Sequence, residues 1–142
     1  MASAGSSTAK TPAQTFALVL GIIYLAVGIL GFFVTGFDNF FKETGETLIL
    51  FPVNPMHNVV HLLLGAIWLA ASRTHAAAKS ANMGIGIALL LVFLLGLFGA
   101  LEWLAIDSGI SADNILHLVS GAASVYFGTA GAGVGARRTA TA

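Results

Sequence analysis

Four long stretches of this chain contain no Asp, Glu, Lys or Arg, and nothing else in the sequence constrains the fold as strongly. They are Thr11–Phe37, Thr47–Ser72, Ser80–Leu101 and Asn114–Ala136, of 27, 26, 22 and 23 residues. A helix needs about 20 apolar residues to cross a hydrocarbon core of roughly 30 Å, and each stretch is long enough. A barrel strand would need only about 10 residues and would alternate apolar with polar. The pattern therefore predicts an all-α, four-transmembrane-helix bundle. The expected helices are Ala13–Thr35, Asn54–Ser72, Asn82–Leu104 and Asn114–Gly131. Residues 1–12 and 132–142 are expected to be a mobile N-tail and a C-tail.

Composition agrees. Charged residues are 8% of the chain and mean hydropathy is +0.91, whereas soluble domains carry about 25% charged residues. The net charge of zero leaves no basic stripe for nucleic acid. The absence of cysteine removes disulfides, thiolate metal sites and a cysteine nucleophile.

Charge placement sets the expected orientation. Lys10, Arg73, Lys79, Arg137 and Arg138 fall in the N-tail, the connection between helices 2 and 3, and the C-tail, with only Lys42 on the opposite side. The positive-inside rule then puts both termini in the cytoplasm of a bacterial plasma membrane. All six acids lie in or beside the two outer connections. Asn54 suits an N-cap and Pro55 the first helical position of helix 2, while Asp113 or Asn114 would cap helix 4. Helix 1 is expected to be retained, since its apolar run is too long for a signal peptide and no small-residue cleavage site follows Val34.

The chain also repeats itself. Asn58-Val-Val-His61-Leu-Leu-Leu-Gly65-Ala66 in helix 2 aligns with Asn114-Ile-Leu-His117-Leu-Val-Ser-Gly121-Ala122 in helix 4, with five identities in nine positions. A Gly-x-x-Gly pair near the outer ends of helices 1 and 3, Gly28/Gly31 and Gly96/Gly99, extends the match weakly. The reading is two tandem, pseudo-symmetric hairpins related by an axis along the membrane normal. Asn, His and Gly of each motif share one helix face, which should turn inward and bring His61 toward His117. Gly21, Gly28, Gly65, Gly121 and Gly128 are read as helix-packing positions, because small residues let membrane helices approach closely. The series continues to Gly135.

The segment Asn54-Pro55-Met-His57-Asn58-Val-Val-His61-Leu-Leu-Leu-Gly65, with its helix 4 echo, resembles the signature of a family of small four-span membrane proteins. That family is found mainly in actinobacteria and is catalogued as a domain of unknown function. Every position of both patterns is matched, and the resemblance covers roughly residues 13–130. It implies topology and location and supplies no activity.

His57, His61 and His117 are the candidates for chemistry, because ionisable groups within a span are costly. His57 and His61 have the i, i+4 spacing of two metal ligands on a helix. His117 would add a third nitrogen, and Glu102 near the outer end of helix 3 a fourth ligand or supporting partner. A b-type haem between His61 and His117 is the other cofactor alternative. The reading preferred over both is structural, with no cofactor expected. Asn58 would pair with His117, and Asn114 with His61, as register-fixing bonds across the pseudo-axis.

Among the aromatics, Tyr24, Trp68 and Tyr126 suit the interior or an interface, and Trp103 an aromatic belt. Phe32, Phe33, Phe37, Phe40 and Phe41 with Leu48–Phe51 suggest an amphipathic segment on the outer leaflet. His75 is expected to be solvated.

No nucleotide loop, nucleophile triad or intramembrane carboxylate pair supports an enzyme. The sequence thus points to a non-enzymatic accessory or envelope component in the lipid bilayer, with metal or haem binding as the alternative. Other membrane proteins or a second copy remain open as partners. The topology is directly checkable. A cysteine at Ser6 should resist an impermeant thiol reagent in intact cells, and one at Thr44 should react. The reverse pattern would invert the orientation.

Overall fold

The computed structural model describes residues 9–129, so Ser6, Gly131, Gly135, Arg137 and Arg138, and most of both tails, lie outside the described residues. It contains four α-helices: α1 Pro12–Thr35, α2 Pro55–Ala71, α3 His75–Leu97 and α4 Ala112–Thr129. Two of them, α1 and α3, are long and apolar enough to cross a membrane. The other regular elements are a two-stranded antiparallel hairpin, β1 Thr47–Leu48 and β2 Phe51–Pro52, and a short 3₁₀ helix, Glu102–Leu104.

Local chemistry sets the helix starts. Thr11 caps α1 in a reciprocal capping box with Gln14, ahead of Pro12. Gly36 ends α1 at φ +63°, a conformation glycine adopts without a Cβ penalty. Asn54 caps α2, its Oδ1 accepting from the His57 N–H at 2.8 Å. Its Nδ2 donates to the Trp103 and Lys42 carbonyls at 2.8 and 3.3 Å, which ties the α1–α2 and α3–α4 connections together.

Two expected boundaries change. Helix α3 runs seven residues earlier than the charge-free stretch suggests, because Thr74 caps it and its first turns carry His75 and Lys79. The caps, not the absence of charge, set its ends, and Glu102–Leu104 becomes a separate turn. Helix α4 is capped by Ser111 rather than Asp113 or Asn114, since Ser111 Oγ accepts from the Asn114 N–H at 3.2 Å. Asp113 is thereby moved inside the first turn.

Packing follows the repeat. α1 lies along α2, and α3 along α4, far more extensively than any other pair. In the first pair Gly21 faces Gly65: a Cβ added at Gly21 would sit 2.8 Å from the Leu69 backbone nitrogen. In the second Gly86 faces Gly121, and a Cβ at Gly86 would meet the Val125 backbone nitrogen at 2.8 Å. Gly31 lies against the Asn58 amide, and Gly96 against that of Asn114. The register between α1 and α3 is therefore Gly21/Gly31 with Gly86/Gly96, not Gly28/Gly31 with Gly96/Gly99. Gly28 packs on Leu62 and Asn58, and Gly128 on Met83.

Leu48–Phe51, expected as an amphipathic segment, forms the tip of the hairpin, with Ile49 and Leu50 exposed. One further expectation is corrected. His75 is half-buried at the start of α3, with Thr11 Oγ1 2.8 Å from its Nδ1, and so is not simply solvated.

Because the nearest atoms at Gly21, and the very nearest at Gly86, belong to backbone, they cannot yield as the end of a side chain would. Gly21→Ala and Gly86→Ala should each destabilise the protein by about 1–3 kcal/mol. Val119→Leu, on an exposed face, should be neutral. Thermal unfolding in detergent measures all three, and equal tolerance would mean the seams are wrongly placed.

Candidate metal centre

The buried interior of the bundle is unusually polar. Asn54, His57, Asn58, His61, Asn82, Asp113, Asn114, His117 and Ser124 are all buried. Meanwhile Ile22, Ile29, Leu30, Leu63, Leu91 and Val119 are exposed.

The two motif asparagines do not reach the histidines. Asn58 Nδ2 donates to Thr35 Oγ1 at 2.9 Å, within its own hairpin. Asn114 Nδ2 donates to the carbonyls of Asp107 and Gly109, both at 2.8 Å. The expected Asn58–His117 and Asn114–His61 bonds are therefore replaced. Each asparagine sits over a glycine of its partner helix, Gly31 or Gly96, and its amide bonds within its own hairpin, to the Thr35 hydroxyl or to the Asp107 and Gly109 carbonyls, rather than across the pseudo-axis.

The histidines gather instead with an acid. His57 and His61 lie one turn apart on α2, with their Nε2 atoms 3.0 Å apart. The His57 ring centre is 4.8 Å from that of His61 and 6.4 Å from that of His117. His57 thus stands next to both of the residues expected to pair. Asp113 Oδ2 is 3.8 Å from His117 Nδ1. His57, Asp113 and His117 offer ligand atoms that all lie within 4.8 Å of one another. Tyr24 of α1 stacks on His61 at 4.7 Å and 14°, and so fixes the orientation of that ring.

Glu102 does not join this group. It is exposed on the 3₁₀ helix, near Gly99. Asp113 takes the place expected of it, and the repeat holds the signal that finds it. His57-Asn58-x-x-His61 corresponds to Asp113-Asn114-x-x-His117, so Asp113 is the second-copy equivalent of His57. Reading the repeat one residue further toward the N-terminus would have found it.

The cluster is chemically incomplete by itself. His57 Nδ1, His61 Nδ1, Asp113 Oδ2 and His117 Nδ1 are buried without hydrogen-bond partners. Such groups cost roughly 1–3 kcal/mol each when left unpaired, and more in a medium as apolar as lipid. Three imidazoles and a carboxylate form a donor set suited to a divalent transition metal. A cavity of about 150 Å³ touches all three histidines. This is well under the roughly 300–1,000 Å³ of pockets that take drug-sized ligands, and a haem macrocycle does not fit it.

A second polar group lies toward the other end of the bundle. Trp68 Nε1 donates to Asn82 Oδ1 at 3.0 Å, and Asn82 Nδ2 donates to the Ala13 carbonyl at 3.1 Å, which links α2, α3 and α1. Asn82→Leu should therefore destabilise by about 1–3 kcal/mol in chemical or thermal unfolding, by leaving the Trp68 N–H buried and unpaired. An unchanged melting point would show that this link contributes nothing.

Comparison with curated proteins and with solved structures returns no significant match. The sequence does match the family described as Domain of unknown function (DUF4383) across residues 14–130, a span that takes in α2, α3, α4, all but the first two residues of α1, and the whole cluster. On that match the chain belongs to the DUF4383 family.

Proposed function

We propose that this protein is a four-span component of the bacterial plasma membrane that holds a divalent transition-metal ion between the outer ends of α2 and α4. The membrane part rests on the inverted distribution of polarity. Asparagines, histidines and an aspartate are buried, while Ile, Leu, Val and Phe side chains on all four helices are exposed. A soluble domain avoids large contiguous apolar surfaces, whereas a bilayer requires them. At 17 and 18 residues, α2 and α4 reach about 25–27 Å at 1.5 Å per residue, close to the hydrocarbon thickness.

The metal part rests on one observation: buried ligand atoms of His57, Asp113 and His117 lie within 4.8 Å of one another, with His61 one turn from His57. Left without partners, such groups form a buried defect, and a cation with open valences between those three would satisfy them. Zn, Fe or Mn suits mixed imidazole and carboxylate donors better than Cu(I), which favours sulfur. The role assigned is binding and storage of charge at a fixed site rather than a reaction, within an accessory or envelope protein.

Metal analysis of protein purified in mild detergent without chelators tests this. The expected content is about one metal per chain. Losing a partner one step removed from a metal costs roughly 10–100-fold in affinity, so His117→Ala and Asp113→Asn should cost at least that much. Glu102→Gln should change nothing, because that side chain stands outside the cluster. Wild-type protein free of metal after re-exposure to Zn, Fe(II), Mn and Co would overturn the reading.

A further inference from the structure

The segment Thr47–Val53 carries no charged side chain, although it sits in a connection that holds Asp38, Lys42, Glu43 and Glu46. It folds into the β-hairpin, with Leu48 opposite Phe51 and a two-residue turn at Ile49 and Leu50. In water such a turn is ordinarily Asn-Gly or Asp-Gly, because those residues accept a positive φ and suit a wet surface. Here Ile49 stands at φ +63°. Among the described residues only Asn39 and Ala105 otherwise combine a side chain with a positive φ, and neither is β-branched. An isoleucine in that conformation is strained, since its branched side chain crowds the backbone. Packing within the protein does not offset the strain, for Ile49 is 84% and Leu50 73% exposed. An apolar pair held on a strained, projecting turn is disfavoured in water and matched to an apolar medium outside the protein.

The surroundings of the hairpin identify that medium. β1 lies against α1 and β2 against α4, two helices that otherwise touch little. The hairpin is therefore wedged into the groove between them. Leu48, Ile49 and Phe51 line the same cleft as Ile23 and Val27 of α1 and Leu116 of α4. Val27 lies about 12 Å inward of Thr35, the end of α1, at roughly 1.5 Å per residue. Ile23 and Leu116 are themselves exposed, so the tip continues the apolar surface that these helices present to lipid. Irregular backbone is tolerated at membrane depth only against protein. That condition is met. Each strand rests on a helix, the strands bond to each other, and Pro52 has no N–H to satisfy. The Val53 N–H donates to the Glu46 carbonyl, and the Val53 carbonyl accepts from the Thr44 hydroxyl, both at 3.0 Å.

We propose that the β-hairpin is a re-entrant element, its tip at Ile49 and Leu50 inserted into the hydrocarbon of the outer leaflet at the seam of α1 and α4. The tip contacts lipid rather than a second copy of the chain. Two side chains present far less surface than the roughly 800 Å² per partner of a stable protein interface, and they are continuous with the lipid-facing residues of both helices. In this position the hairpin forms the outer-leaflet wall of the cleft beside His57, His61 and Asp113. The proposal rests on the membrane reading and does not require the metal.

Spin labelling tests it, and the absence of cysteine makes each introduced label unique. Leu50→Cys, Leu30→Cys, Ile22→Cys and Glu43→Cys, all at exposed positions, each carry a nitroxide in the full chain in phosphatidylcholine vesicles. Collision with oxygen, which concentrates in hydrocarbon, is compared with collision with a nickel chelate, which stays in water. The oxygen-to-nickel ratio at Leu50 should match that at Leu30 and exceed that at Glu43 roughly tenfold, because the bilayer core holds no water. A ratio at Leu50 equal to that at Glu43, or between the two, would put the tip in water or among headgroups and overturn the proposal. Dipolar broadening at Leu50 that vanishes on dilution with unlabelled protein would put a second copy on the tip and overturn it as well. Low ratios at Ile22 and Leu30 would overturn the membrane reading and the proposal with it, whereas high ratios there beside a low one at Leu50 overturn the proposal alone. An independent measurement uses the turn chemistry. Ile49→Asn combined with Leu50→Gly relieves the strained turn, so a tip in water should melt at a higher temperature. A tip in hydrocarbon should melt at a lower one in the same vesicles, because the Asn amide must then leave water. The lower melting temperature is expected, and an unchanged or higher one would overturn the proposal.

Discussion

Helix backbones touch directly at two equivalent places, Gly21 on Gly65 and Gly86 on Gly121, and the remaining geometry depends on those contacts. Lipid tails are as apolar as leucine, so burying apolar side chains does little to draw membrane helices together. Close van der Waals packing through small residues does it instead. Each contact sets the height of a descending helix, α2 or α4, against an ascending one. Because the heights match in the two hairpins, the first turns of α2 and α4 arrive at the same level. His57, Asp113 and His117 then meet, with His61 one turn from His57.

The repeat is most informative where it breaks. Its copies agree in the asparagines, the second histidine and the glycines that face one another. They differ at His57 and Asp113, at Tyr24 and Leu89, and at Trp68 and Ser124. A strict duplication would place four histidines together, with no negative charge to offset a bound cation. Exchanging one for aspartate supplies that charge. Exchanging Leu89 for Tyr24 gives the cluster one aromatic wall, against which His61 is stacked. The two sides also close differently, with the β-hairpin over the α1–α4 cleft and the segment Leu104–Ile106 beside the α2–α3 cavity. A symmetric scaffold thereby carries a site with two unlike approaches.

Polar residues in the interior divide by how fully they are satisfied. The Trp68–Asn82–Ala13 link is complete and joins three helices, and the capping bonds at Thr11 and Asn54 close the first turns of α1 and α2. The four-residue cluster is not complete, and its residues lie beside two cavities, all three histidines at one and His57, His61 and Asp113 at the other. The first set holds the helices in place, and the second carries the proposed metal site.

The number of helices, their all-α character and the inward-facing Asn, His and Gly positions were legible in the sequence, because apolar run length and helical periodicity are local properties. The start of α2 was legible for the same reason, since Asn54-Pro55 is a cap written in adjacent residues. Helix α3 was displaced by seven residues because its cap, Thr74, lies outside the charge-free run that marked the span. Val125 shows the limit of reasoning from one helix at a time: nothing in α4 by itself marks it, yet it packs at the α3–α4 seam, where its backbone nitrogen leaves Gly86 no room for a Cβ. The same limit hid Asp113, which looks like one more loop acid until Ser111 takes the cap, the helix places it one turn from His117, and the meeting of α2 with α4 brings His57 to both. Which residues share a helix face follows from the chain. Which faces meet, and at what height, depends on contacts between glycines far apart in sequence, and only the tertiary structure decides that.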